Sequence, residues 1–365
     1  MSAAKKDVAS TVIRPEIQAM HAYQVPDAAG LVKLDVMESP YRLPEPLAAE
    51  IGQIVSRVAM NRYPVPAANE LRAVIREVMQ VPKGCDVLLG NGSDDCIQYI
   101  TAAVAREGAV VMAPAPSFVM FSMYALFYRL RFAGVALRDD FSLDTEAFLA
   151  AMARDKPALL WIAFPNNPTG NAFPVADIER IVRAAPGLVV IDEAYQPFAG
   201  ATFMPRLAEF ENMVVMRTVS KIGMAGLRLG YVCGRPEWIE AFNKTRSPFN
   251  INVLTEAVAI KLLQNKQVLD AQAVKVLDER ERVRAELARL PGLVVYPSAA
   301  NFLLVRASGA AGAGTRAFEK MKASGVLVKD FSGGHPLLEN CLRLTIGMPE
   351  ENRAMMGALR SALQP

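Results

Sequence analysis

Thr218-Val-Ser-Lys-Ile-Gly-Met-Ala-Gly-Leu-Arg-Leu-Gly-Tyr231 follows almost directly on the apolar run Met213-Val-Val-Met216, which reads as a buried strand. Lys221 therefore stands at a strand end rather than on a solvated helix face, and Arg228 comes seven residues later, across two glycines. An amine placed there is partly desolvated, and a second cation nearby lowers its pKa further, so that it can act as nucleophile and base near neutrality. Ser220 and Arg228 then make an anion site beside the amine, and the three groups together suit a phosphorylated aldehyde. The stretch alone also permits an ordinary solvated lysine. The rest of the chain has to choose.

The 365 residues are too many for one simple core, and a two-domain body is expected. With 52% hydrophobic and 21% charged residues the chain reads as a well-packed soluble protein, and a net charge of +3 gives no case for nucleic acid or an anionic membrane. Cys85, Cys96, Cys233 and Cys341 show no metal-ligand spacing and read as buried, reduced thiols of a cytoplasmic protein. No apolar run reaches membrane-spanning length and the first residues lack a signal-peptide core. Only His21 and His335 are present, so histidine-based metal sites and Ser-His-Asp chemistry are not expected.

Residues 1–45, punctuated by Pro15, Pro26, Pro40 and Pro44, read as an extended arm, with 31–36 as a strand. A helix is expected over 46–60, ending at Asn61-Arg-Tyr-Pro64, where Tyr63 reads from spacing as a loop aromatic. Val87-Leu-Leu-Gly-Asn-Gly-Ser-Asp-Asp95 reads as strand, Gly-rich turn and a helix capped by Ser93. Such a turn can cradle a phosphate, or can simply start a helix. From residue 109 strands at 109–113, 159–164 and 188–191 alternate with helices, the pattern of a mostly parallel sheet flanked by helices. Asn167, Asp192, Tyr195 and Lys221 all fall at carboxyl ends of these strands, where α/β sheets carry their sites. Beyond 235 come a long helical span over 255–290, strands at 293–296, 302–305, 326–329 and 341–346, and helices at 315–324 and 350–363, a smaller α+β domain. The expected division is an arm over 1–45, a large domain over 46–250 and a small one over 251–365.

Asn167 in Asn-Asn-Pro-Thr-Gly, Asp192 and Tyr195 in Asp-Glu-Ala-Tyr, Ser220-Lys221, and Arg228 resemble the motifs of the fold type I pyridoxal-phosphate-dependent aminotransferases, over essentially the whole chain. The resemblance implies pyridoxal 5'-phosphate as cofactor, with Lys221 as the lysine that joins it and then carries the substrate proton. It implies Asp192 as partner of the pyridine nitrogen, Tyr195 and Asn167 as donors to the phenolic oxygen, and Phe118 as the stacking ring. Ser93, Asp94 through its backbone, Thr218, Ser220 and Arg228 are implied as phosphate ligands. Tyr63 matches the family tyrosine that reaches into the partner's site, so a homodimer with shared sites is implied, and Arg343 matches the arginine that meets a substrate anion. Within the family, the segment 33–41, Gly-Asn-Gly-Ser-Asp-Asp95 and the ending around 326–347 look like the histidinol-phosphate aminotransferase branch, which exchanges an amino group between L-histidinol phosphate and 2-oxoglutarate. Tyr23, Lys329 and Arg343 are the candidate substrate ligands.

The chain departs from that branch in three places. Glu38-Ser-Pro stands for Glu-Asn-Pro, Phe118 for a tyrosine, and Lys329 for an arginine, which exchanges a bidentate fork for a point charge. Sibling activities remain open at this point: an aromatic amino-acid aminotransferase or a phospho-amino-acid decarboxylase. An aminotransferase-like transcription regulator would need a DNA-binding domain for which the short arm leaves no room.

Overall fold

The computed structural model describes residues 8–22 and 25–364. Its strands in chain order are β1 (Val32–Lys33), β2 (Asp86–Gly90), β3 (Val110–Ala115), β4 (Arg131–Ala136), β5 (Leu159–Ala163), β6 (Leu188–Asp192), β7 (Met213–Thr218) and β8 (Gly230–Gly234), then β9 (Leu293–Val295), β10 (Phe302–Ala307), β11 (Val326–Leu327), β12 (Lys329–Asp330) and β13 (Cys341–Thr345). The order β2-β8-β7-β6-β5-β3-β4 forms a seven-stranded sheet. Within it β8 alone runs against its neighbours β2 and β7; the other pairings are parallel. β5, β6 and β7 are buried at every residue, which is why they are written as unbroken apolar runs.

The chain winds outward from β3 to β4 and then, from β5, the other way through β6 and β7. A crevice at such a reversal, beyond the carboxyl ends of the strands, is where α/β sheets bind ligands. Phe118 follows β3 and Asn167 follows β5, so both stand at the reversal.

A second sheet, β12-β13-β10-β9, is antiparallel, and β1 pairs in parallel with β11 as a separate two-stranded ribbon. A core of its own, including Leu303, Val305, Leu342, Leu344 and Met355, makes this the smaller α+β domain, and the same core takes in Leu34, Met37 and Tyr195. The arm is stitched to it by Leu34 N–H to Leu327 O (2.8 Å), Thr345 N–H to Leu34 O (3.2 Å) and Asn301 Nδ2 to Met37 O (3.0 Å).

Several elements differ from expectation. The arm begins as two short helices, Val8–Val12 and Pro15–Gln18, and its strand is only two residues long, because β11 offers no more than two partners. The span 255–290 is two helices, Val253–Gln264 and Lys266–Leu287, separated at Asn265, whose side chain donates to the Lys261 carbonyl and so satisfies the end of the first. The run 326–329 is split between β11 and β12, which belong to different sheets, with buried Val328 at the crossing. Ser93 is the first residue of the helix Ser93–Val104 and not its cap; Gly92 occupies that position, and no side chain caps the helix. β4, the helix Asn69–Val78 and the helix Thr145–Asp155 were not anticipated. β4 is an edge strand with half-exposed residues and lacks a continuous apolar run.

Candidate active site

A cavity of about 390 Å³ opens at the carboxyl edge of the large sheet. It brings together Ser93, Asp94, Phe118, Asn167, Asp192, Tyr195, Thr218, Ser220, Lys221 and Arg228, residues that span 136 positions of sequence from Ser93 to Arg228. A second cavity, of about 320 Å³ beside Arg72, Asp86 and Arg246, contains none of them.

Lys221 lies in the single turn Ser220–Ile222 that follows β7, and its Nζ donates to the Val36 carbonyl at 3.0 Å. Burial, and then the nearby Arg343 guanidinium, bring its amine down to about 8, against the opposing pull of Glu38 and Asp94. Asp192 ends β6 and is 5% exposed. Burial pushes its carboxyl up to about 7, although it accepts a hydrogen bond from the Ala194 amide at 3.0 Å; Asp94 and Glu193 push the same way. A buried carboxylate that makes no ion pair among the described residues is built to receive a cation from outside the chain, and a protonated pyridine ring is of that kind.

The opposite end of the cavity is made for an anion. The helix Ser93–Val104 begins there with backbone amides that have no partner within the helix. The Thr218 hydroxyl lies 2.9 Å from Ser220 Oγ, and Arg228 closes the side. Gly92, at φ +86°, has its missing Cβ position 2.6 Å from Arg228 Nη2, and that of Gly230 lies 2.5 Å from the Gly92 carbonyl carbon. A side chain at Gly92 would strain a left-handed backbone and displace the guanidinium, and one at Gly230 would push β8 off the Gly92–Ser93 turn. Phe118 forms a wall, edge-on to Phe121 at 5.6 Å, which itself stacks on Trp161 at 4.8 Å.

Arg343 lies just behind the cavity on β13. It donates to Asn167 Oδ1 at 2.5 Å and to the Asp35 carbonyl at 2.8 Å, over the rings of Phe302 and Phe331. The Asn167 amide keeps its N–H donors for other acceptors. Tyr195 packs edge-on against Phe302 at 5.2 Å, and burial raises its hydroxyl pKa. The ladder sets Lys329 directly opposite Arg343. Neither lines the cavity itself. Tyr63 is 83% exposed, stacked on Phe249 at 4.9 Å, and lies outside the cavity of its own chain. Tyr23 lies outside the described residues. Sequence reasoning missed Val36 and Met37, which line the cavity with Glu38. The apolar pair carries no chemical signal; only the Glu38-Ser-Pro break marks the place.

Residues 29–358 match the family model for class I and II aminotransferases. The chain belongs to the class I and II aminotransferases. It is 53% identical to histidinol-phosphate aminotransferase 2 of Cupriavidus pinatubonensis over the full length of both chains. It is likewise 53% identical to histidinol-phosphate aminotransferase 1 of Ralstonia nicotianae, over 98% of this chain and 96% of that one. Among solved structures this aminotransferase is similar to the histidinol-phosphate aminotransferase of Sinorhizobium meliloti, solved in complex with pyridoxal-5'-phosphate, with a TM-score of 0.87 and 25% identity over 97% and 98% of the two chains. The architecture expected from the motifs, a large mostly parallel sheet with a smaller C-terminal α+β domain, is the architecture of this aminotransferase.

Proposed function

We propose that this aminotransferase uses pyridoxal 5'-phosphate to move the amino group of L-histidinol phosphate to 2-oxoglutarate, giving imidazole-acetol phosphate and L-glutamate in histidine biosynthesis. The observation that carries the cofactor reading is the pairing, in one cavity, of a lysine held near 8 with a buried carboxyl that makes no ion pair among the described residues, opposite a helix start whose amides face the cavity. The full-length relatives at 53% identity support the substrate. The cofactor supplies an electron-withdrawing ring on which amino acids lose the Cα proton. Every other duty belongs to the chain.

Lys221, neutral above its lowered pKa, would hold the cofactor through Nζ and, once freed by substrate, would take the Cα proton at that atom. Asp192 holds the pyridine nitrogen protonated, Asn167 and Tyr195 donate to the phenolic oxygen, and Phe118 covers the ring. Ser93, the Asp94 amide, Thr218, Ser220 and Arg228 hold the cofactor phosphate. Arg343 and Lys329, with Tyr23, receive the substrate phosphate in one half-reaction and the dicarboxylate in the other. Residues 46–250 serve as the cofactor domain and 251–365 as the small domain, with the arm bridging to it.

The working unit is a homodimer. Tyr63, Met60, Val65 and Phe249 are large apolar residues left exposed, and a second copy seated on them would carry Tyr63 into the partner's phosphate site. The four cysteines are free and buried, and no described helix is long and apolar enough to cross a membrane, in keeping with a cytoplasmic enzyme.

The test is a half-reaction screen. The visible absorbance of the loaded protein is followed as it meets L-histidinol phosphate, glutamate, phenylalanine or tyrosine separately. Fast bleaching by the first two and slow bleaching by the aromatics is expected; a preference for the aromatics would move the substrate to the sibling class.

A further inference from the structure

On the face of the large sheet turned away from the cavity lies a charged cluster that the chemistry above does not use. Glu193 and Arg217 are 1% and 6% exposed. Arg217 donates through Nε to Glu193 Oε2 at 2.9 Å and through Nη2 to Thr202 Oγ1 at 2.8 Å, with Nη2 in ion-pair contact with the same carboxylate oxygen at 2.8 Å. Glu193 Oε1 accepts from the Phe203 amide at 2.5 Å, and the Thr202 hydroxyl lies within 2.9 Å of both carboxylate oxygens. Buried Tyr231 is paired with Arg217 across the β7–β8 ladder, and that guanidinium acts on its hydroxyl against the effect of burial. A buried pair of this kind is no stronger a fastener than well-packed apolar side chains, so its value lies in geometry. A guanidinium fork fixes distance and orientation together.

Two members of the cluster are next in sequence to residues of the cavity, and a third is next to a glycine packed on its phosphate-facing turn. Glu193 follows Asp192, Arg217 precedes Thr218, and Tyr231 follows Gly230, which sits against the Gly92–Ser93 turn. Along a strand successive side chains point to opposite faces, so what is fastened behind the sheet is positioned in front of it. The ladder carries this across: Arg217 is paired with Tyr231, Thr218 with Gly230, and the Glu193 amide donates to the Met216 carbonyl at 2.8 Å. We propose that Glu193, Arg217, Thr202 and Tyr231 form a positioning clamp that holds Asp192, Thr218 and the Gly92–Ser93 turn at the separation the cofactor spans. The clamp rests on the cofactor reading given above.

The clamp carries no net charge as a unit, although Glu193, its member next to Asp192, pushes that carboxyl up. Glu193→Gln leaves a buried cation behind the site, and Arg217→Met leaves a buried anion. The other groups facing Asp192 and Lys221 are Asp94, Tyr195, Cys96, Glu38, Arg228 and Arg343, and neither substitution touches them.

The experiment uses the full-length holoenzyme. It measures the pH midpoint of the bound cofactor's visible absorbance and the rate of cofactor loss on dilution, for the wild type, Glu193→Gln, Arg217→Met and the double variant. Glu193→Gln is expected to lower the midpoint by about half a pH unit or more and Arg217→Met to raise it by a similar amount. Both single variants should lose cofactor on the order of tenfold faster. The double variant should return to the wild-type midpoint and still lose cofactor faster than the wild type. A cluster that merely holds the core together would lower the melting temperature without moving midpoint or loss rate; that result, or two shifts of the same sign, overturns the clamp and leaves the cofactor reading standing. If the single variants do not fold, the charge-neutral double variant decides, and wild-type retention there overturns the clamp. A wild-type chain that takes up no pyridoxal phosphate overturns both readings together.

Discussion

The floor and the rim of the cavity carry similar charges under different conditions. On the floor, Asp192, Tyr195 and Asn167 are all buried and stand at or beyond the ends of strands, with buried Arg343 behind them in the middle of β13. At the rim, Arg228 and Asp94 approach to 3.9 Å with side chains about half exposed, and Glu38, paired with Lys33, is as open. Charges at a solvated surface are screened, and such a pair is worth about 0–1 kcal/mol, whereas a buried charge with no counterion must change its proton affinity. The floor therefore sets reactivity, as the values near 7 for Asp192 and 8 for Lys221 indicate. The rim steers ligands. Substitutions on the floor should be severe and those at the rim mild.

Lys221→Ala should be the most damaging: no visible cofactor band and no measurable transamination by a coupled glutamate assay. Turnover retained in that variant would place the reactive amine elsewhere. Asp192→Asn should still take up cofactor but lower kcat on the order of 10²–10⁴-fold, a loss that wash-in of solvent deuterium at the glutamate Cα would locate in proton removal. Wild-type wash-in would break the distinction between floor and rim.

The pH dependence sharpens the comparison without substitution. A lysine whose pKa is lowered from 10.5 to about 8 is mostly protonated below pH 8 and neutral above it. Only the neutral amine attacks an aldehyde, so cofactor capture by the stripped protein should rise about tenfold per pH unit up to about 8 and then level off. A rate still climbing steeply at pH 9.5, read by stopped-flow absorbance, would mean that the lysine is as solvated as the rim. Tyr63→Phe should have the smallest effect, a loss of cofactor retention of roughly a few-fold with kcat almost unchanged, since one exposed hydroxyl donates a single hydrogen bond. A large fall in kcat would move Tyr63 from rim to floor.

Much of the floor was legible in the chain. Buried parallel strands announce themselves as apolar runs, and polar residues gathered within a few positions of their carboxyl ends, as at Asn167, Asp192 and Lys221, mark the edge where such sheets carry their sites. What was hidden depended on partners distant in sequence. Nothing in 326–329 says that the chain will leave one sheet for another at Val328. Glu193 and Arg217 read as ordinary charges until Thr202 and the β7–β8 ladder bring them together. Tyr63 is informative only through family resemblance, because its contacts within its own chain stop at Phe249.

The hydrogen bond from Lys221 to the Val36 carbonyl has a use in engineering. The reactive amine is touched by a segment, residues 31–37, that belongs to neither large strand nor long helix and is fastened to the small domain by a two-residue ladder and a handful of hydrogen bonds. One wall of the cavity, Val36 to Glu38, can thus be rewritten without editing the seven-stranded sheet. A library confined to Val36 and Glu38, which line the cavity without belonging to the small domain's core as Leu34 and Met37 do, would search new amine donors on an unchanged catalytic floor, and its members should keep their melting temperatures more often than libraries drawn from the strands.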